Sequence, residues 1–267
     1  MHLGQYTIHG IDGTYMMIGS AAGKAIGSEE KAYQISNGVL RRMRLAALYS
    51  GGKDSTLATL LMEDQGHEVP LLLSILPGDP ESMLFHTPNI ELVEFIAGSM
   101  RKTLLSETSG EGEELNALSK LLTVARKDGI EGIVTGAIQS DYQFIRIDRL
   151  CSDEGLKCFS PLWRKDQGMV LSMIVESGIR AVVVATAAEG LGKQHLGRPV
   201  DSAFIEEVSK LHSRLGVNPC GEGGEYETYT LDSPLHRESL EIKEFSVEEK
   251  GHSSVMHIRK IEKRKKF

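Results

Sequence analysis

Leu45-Ala46-Ala47-Leu48-Tyr49-Ser50-Gly51-Gly52-Lys53-Asp54-Ser55, followed by a helical pattern over residues 56–65, decides how the chain is read. A short apolar run without alternation is the pattern of a strand buried on both faces of a parallel sheet. The glycine pair permits backbone conformations closed to other residues, so successive N–H groups can converge as an anion nest at a helix N-terminus. Lys53 adds a point charge, Asp54 can reach a magnesium ion, and Ser50 and Ser55 carry hydroxyls, one of them free to cap the helix. The junction predicts a phosphate-binding loop at residues 50–55, against the plain alternative of a capped strand-to-helix turn.

Outward from this loop, apolar runs alternate with helical periodicity, the signature of βαβ units. Strands are predicted at Val69–Leu76, Lys102–Ser106, Gly132–Thr135 and Ala181–Ala187. Leu115, Leu118, Leu121, Leu122 and Ala125 form one helical core stripe, and Phe204, Val208, Leu211 and Leu215 form another. Beyond Leu162 the runs Tyr226–Leu231, Leu240–Val247 and Val255–Ile261 read as strands without intervening helices. The expected organisation is an extension outside the core at 1–42, a nucleotide domain at 43–160, a smaller α+β domain at 161–261 and a solvated basic tail at 262–267. The boundary is placed near Pro161, where proline suits an extended connection. Gly19-Ser20-Ala21-Ala22-Gly23-Lys24-Ala25 mimics a Walker A loop but is one residue short, and Ala25 replaces the metal-binding hydroxyl, so it is rejected as a phosphate site.

The 267 residues carry 30 basic and 37 acidic side chains, a formal charge of −7, with 40% hydrophobic and 25% charged residues. These values are those of a folded globular protein. No apolar run approaches the roughly 20 residues of a membrane span, so no membrane association is expected. The opening residues do not read as a secretory signal, and Cys151, Cys158 and Cys220 lack zinc spacing, so a reducing cytoplasm is the expected location. The acidic balance argues mildly against a direct nucleic-acid partner.

Ser50-Gly51-Gly52-Lys53-Asp54-Ser55 is similar to the SGGxDS signature of the PP-loop ATP pyrophosphatases. The resemblance implies a Rossmann-like parallel sheet of the adenine nucleotide alpha hydrolase (HUP) type, ATP with Mg2+ as cofactor, and cleavage between the α and β phosphates. Five further stretches resemble the diphthine–ammonia ligase (diphthamide synthase) family: Glu81 to Asn89 with His86, Gly136 to Gln143 with Arg146, Pro161-Leu162-Trp163, Leu196-Gly197-Arg198, and Gly221 to Thr228. That family joins ammonia to the carboxylate of diphthine, a modified histidine on translation elongation factor 2, releasing AMP and pyrophosphate.

The resemblance assigns Ser50 to Ser55, His86, Gly136 and Ala137 to the nucleotide, and Ser140, Asp141, Tyr142, Gln143 and Arg146 to the substrate side. Gly136 follows a strand end, where open α/β sheets bind ligands, and with Ala137 is expected to let ATP approach the backbone. Arg146 faces a phosphate or the substrate carboxylate, or with Asp148 is simply an exposed helix charge. His86 lies near the nucleotide or on the surface, and Trp163 is expected to pack between domains. Glu222, Glu225, Tyr226 and Glu227, spaced by Gly223 and Gly224, offer an aromatic face and carboxylates to the trimethylammonium of diphthine. The same carboxylates suit attracting ammonium and taking its proton.

Two competing readings stand beside the ligase. A PP-loop tRNA-modifying enzyme, thiolating or forming lysidine, would need a nucleophilic cysteine or an extended basic surface, and the chain has neither a CxxC nor such a segment before its end. A non-catalytic ATP-binding module would keep the loop without turnover. With no cysteine near the start to release ammonia from glutamine, free ammonium is the expected nitrogen source.

Overall fold

The computed structural model describes residues 6–9, 15–18, 41–78 and 88–266. His86 and the Gly19–Ala25 segment lie outside the described residues. The chain divides into two units, Met1–Arg42 and Met43–Phe267. In the first, β1 (Tyr6–His9) and β2 (Tyr15–Ile18) pair antiparallel with Tyr6 opposite Ile18.

The second unit opens with the expected parallel sheet, in the order β5-β4-β3-β6-β7. Its strands are β3 (Arg44–Leu48), β4 (Glu68–Leu76), β5 (Thr103–Thr108), β6 (Gly132–Val134) and β7 (Lys157–Phe159). Growth reverses at β3, which pairs with β4 on one side and β6 on the other, so a crevice opens at its carboxyl end. Leu45, Ala46 and Ala47 in β3 are almost wholly buried, as its unbroken apolar run requires. The crossover helices are α1 (Lys53–Asp64), α2 (Val93–Met100), α3 (Glu114–Lys127) and α4 (Asp141–Asp153). Leu118, Leu121, Leu122 and Ala125 of α3 pack with Ala46, Leu71 and Ile133 in one core. Cys151 and Cys158 belong to that core too, the latter packed against its edge.

Then come α5 (Gln167–Glu176), β8 (Arg180–Thr186), α6 (Ser202–Leu215), β9 (Tyr226–Asp232), β10 (Glu238–Lys250) and β11 (Ser253–Lys265). The four strands form an antiparallel sheet in the order β10-β11-β8-β9. Helix α1 lies between the two sheets, touching β3, β4 and β6 on one side and β9 and α5 on the other. It is therefore buried nearly all round instead of along one stripe.

Two expectations are corrected. Residues 262–265 are not a tail: β11 runs to Lys265, paired along β10, with Arg264 meeting Glu241 and Glu262 meeting Lys243 of that strand. Lys266 is held too, its ammonium 2.5 Å from Asp232. The stripe on α6 is core only at its start: Phe204 and Val208 are buried, whereas Leu215, in the last turn before the left-handed Gly216, is 44% exposed. Both sheets lie within the unit Met43–Phe267, with α1 packed against each.

His236 gives this sheet a pH dependence. It is buried after β9, with Nδ1 2.7 Å from the Ser233 hydroxyl and Nε2 without a partner. Burial, aided by the Lys266 charge and opposed by Asp232, lowers its pKa to about 4. Between about 4 and the ordinary 6.5 the unfolded chain binds the proton and the folded one does not, so stability falls as pH drops through this window. Denaturant titrations at pH 7 and pH 4.5 are expected to show that loss, and His236→Gln to reduce it.

Candidate active site

The phosphate loop is built from both sheets. Gly51 has φ +81°, and a Cβ there would press on Val93 and Ile96, so only glycine suits the turn. Gly52 caps α1 without a side chain, leaving the first-turn amides of the helix to other acceptors. One is taken from across the molecule: the Lys53 N–H donates to Thr228 Oγ1 at 3.1 Å. The Thr230 N–H donates to the Gly51 carbonyl at 2.9 Å, and the Thr56 and Thr230 hydroxyls meet at 3.1 Å, with Tyr49 OH 2.7 Å from Thr56. Ser50 Oγ lies 3.4 Å from both the Gly52 N–H and Ser55 Oγ, and Ser55 donates to the Gly52 carbonyl.

Lys53 does not stand free over the loop. Its side chain is buried, its ammonium donating to the Cys220 carbonyl at 2.6 Å and to Asp54 Oδ2 at 2.8 Å, with the Tyr226 ring centroid 4.9 Å away. Burial alone would lower its pKa, but the Asp54 carboxylate, with Tyr226 and Cys220, outweighs that and holds it above the ordinary lysine range. Asp54 Oδ1 is buried without a partner, the kind of oxygen a hard cation takes. Among the described residues no three His, Cys, Asp or Glu side chains gather as a metal site. A magnesium ion here would thus be held by Asp54 together with phosphate oxygens and water.

The cleft encloses roughly 900 Å³ including its open mouth. It is lined by the loop, the ends of β3 and β4, residues 135–137 and the segment 220–222 with 226–228. The Ser74 hydroxyl, buried on this wall, has no partner. Cys220 also lines the cleft; burial pushes its thiol up to about 12 despite nearby Lys53, and Sγ donates to the Gln167 carbonyl.

The three glutamates separate. Glu222 reaches across the cleft, its two carboxylate oxygens accepting the Ile138 N–H at 2.8 Å and the Gln139 N–H at 3.2 Å. Glu225 folds back on its own loop, accepting from the Asn218 and Gly223 amides. Glu227 lines the cleft on β9. Tyr226, expected as an aromatic face for substrate, is buried, with Lys53 over its ring, Phe204 edge-on at 5.1 Å and its hydroxyl on the Pro219 carbonyl. It positions Lys53 and leaves no open ring for a trimethylammonium group. Gly223 and Gly224 are exposed in the turn, and Gly221 is required because a Cβ would lie 2.6 Å from the Tyr226 carbonyl.

The second motif is also redistributed. A Cβ on Gly136 would sit 2.8 Å from the Ser55 nitrogen, so this glycine admits the first turn of α1, and it also lines the cleft. Ala137 and Gln143 line the cleft. Ser140 caps α4, accepting from Gln143 N–H. Asp141 is exposed and paired with Arg164, and Arg146 lies on the exposed Tyr142 ring, outside the set of residues that line the cleft. Trp163 stacks on Phe144 of α4, joining the two halves of the unit. Sequence reading missed Thr228 and Thr230; their i, i+2 spacing directly after the acidic loop was the available signal.

Residues 43–158 match the family model described as diphthamide synthase N-terminal domain, and 166–266 match its C-terminal domain. A protein named diphthine–ammonia ligase from Bos taurus is 35% identical over 222 residues, covering 74% of this chain and 82% of the relative. Its counterparts from Danio rerio, at 34% over 75% of this chain and 86% of the relative, and Homo sapiens, at 35% over 74% and 82%, are similar to the same extent.

Replacing Gly136 by Ala places a methyl group against the α1 backbone. ATP affinity by calorimetry is expected to fall at least about 10-fold, since even an ångström of displacement at a binding loop is costly; wild-type affinity would show that the loop tolerates the shift. Lys53→Met leaves Asp54 and the Cys220 carbonyl unpaired, and is expected to destabilise the fold by about 3 kcal/mol in denaturant titration.

Proposed function

The chain belongs to the diphthamide synthase family, and from that premise we propose that it is an ATP-dependent, AMP-forming ligase converting the carboxylate of diphthine to an amide with ammonia. The observation that carries the reading is a glycine-capped helix start, with Asp54 Oδ1 unpartnered, facing one cleft with the acidic segment 220–228. The acceptor is the modified histidine of translation elongation factor 2, which places the enzyme in the cytoplasm, and free ammonium supplies the nitrogen. No direct nucleic-acid contact is part of the reaction.

The first-turn amides of α1 and the Gly51–Gly52 backbone hold the β and γ phosphates as the leaving group. Asp54 would hold Mg2+, which would supply charge neutralisation of the phosphates. The substrate carboxylate attacks the α phosphorus, the bond to the β phosphate breaks, and pyrophosphate leaves. Glu222 positions the 136–139 loop through the Ile138 and Gln139 amides, and Glu225 holds the turn that carries Glu222. Glu227, a carboxylate on the cleft wall, takes the proton from ammonium, and ammonia then displaces AMP from the acyl carbon. Lys53 supplies fixed positive charge behind the loop. A thiolation role fits poorly with Cys220, whose thiol stays protonated.

The test is incubation with ATP, magnesium, ammonium and diphthine-bearing elongation factor 2, following AMP, pyrophosphate and the histidine mass. Amide formation with stoichiometric AMP supports the reading, and ATP binding without pyrophosphate would favour a non-catalytic module. Asp54→Ala is expected to abolish pyrophosphate release. Glu227→Gln is expected to lose amidation while acceptor-dependent ATP–pyrophosphate exchange persists. Glu222→Gln should weaken exchange and amidation together without changing their pH profile, and a shifted profile would return proton transfer to Glu222.

A further inference from the structure

Asn89 does for β11 what a residue of a neighbouring strand would do. β11 pairs with β8 at Ser254 and Val255, and directly beyond them the Asn89 side-chain amide takes over. Its Nδ2 donates to the Met256 carbonyl at 2.9 Å, and the Ile258 N–H donates to its Oδ1 at 2.8 Å. A carbonyl and an N–H two residues apart are the pair that one residue of a parallel strand would satisfy. Asn89 is buried, and its backbone is left-handed at φ +60°, a conformation that asparagine tolerates better than most side chains.

The same residue starts the 3₁₀ turn Ile90–Leu92 that leads into α2, its carbonyl accepting the Leu92 N–H at 3.0 Å. From that turn, contacts run to both parts of the nucleotide cleft. Ile90 lines the cleft, as do Leu48, Leu73 and Ile75. The Leu92 carbonyl accepts the Tyr229 hydroxyl at 2.8 Å, and Val93 and Ile96 stand where a Cβ on Gly51 would press. One short segment is thus both a cleft wall and the backing of the phosphate loop. The antiparallel sheet holds it at two points, Asn89 on β11 and Tyr229 on β9.

We propose that Asn89 is a positioning residue for nucleotide binding. It does not line the cleft itself; it clamps the turn to β11 and so fixes Ile90 as part of the apolar wall. The inference rests on the reading of ATP as the ligand of this cleft.

Asn89→Gly keeps the left-handed turn free of steric cost while removing both bonds to β11. Below the onset of melting, its Kd for ATP by calorimetry and its KM for ATP are expected to rise at least about 10-fold, with kcat of pyrophosphate exchange unchanged. Asn89→Asp, milder because it keeps the acceptor for the Ile258 N–H, is expected to show the same split. Ile90→Ala should weaken ATP binding alone but add little in the Asn89→Gly background, because the two act through one wall. A lower melting temperature with wild-type affinity for ATP overturns the role, as do losses that multiply as those of independent sites. Wild-type protein that binds no ATP overturns the nucleotide reading, and the role of Asn89 with it.

Discussion

The buried ammonium of Lys53 is the contact on which the arrangement of the cleft depends. It is donated by the first residue of α1, yet its oxygen partner outside that helix is the carbonyl of Cys220, 167 residues away. With the Thr228 hydroxyl on the Lys53 amide and the Thr230 amide on the Gly51 carbonyl, it fastens the phosphate loop to the antiparallel sheet. A buried charge is tolerated only when paired and hydrogen-bonded, and here Asp54 and the carbonyl satisfy that condition. The consequence reaches the proposed function: the glycine loop and the acidic segment, the two walls of the cleft, are locked to each other by the same few bonds that stabilise the fold.

A division of labour among like residues follows. Three glutamates within six residues differ in what their oxygens touch. Glu222 bonds across the cleft, Glu225 bonds within its turn, and Glu227 lines the cleft wall. Two of the three carboxylates build the cavity, which is why the acidic segment can be glycine-rich and still hold one shape. Gly221 and Gly136 serve the same end, each admitting a backbone that a side chain would push away.

The parallel half of the fold was legible because its signals are local: an unbroken apolar strand, a glycine pair and a helix start lie within a dozen residues. Strand β7 was missed because three residues carry no periodicity, and α5 because a nearly all-apolar helix shows no stripe. The basic end was misread as a tail because the carboxylates that pair with it, Glu241 on β10 and Asp232 on β9, lie in other runs of sequence. The candidate site divides in the same way. Asp54 and the loop glycines could be placed from their immediate neighbours, whereas the jobs of Glu222, Tyr226 and Gly136 depend on contacts about 80 or more residues away. Tyr226 in particular looks like a ligand-facing aromatic until the fold puts Lys53 on its ring.

The account's central claim is that the acceptor carboxylate attacks the α phosphorus of ATP across this cleft. Labelling that carboxylate with oxygen-18 and weighing the products tests it most directly. Attack at the α phosphorus transfers one labelled oxygen to AMP when ammonia displaces it, so AMP should carry a single label and pyrophosphate none. Label in inorganic phosphate, with ADP as the nucleotide product, would contradict the account and place the chemistry at the γ phosphate.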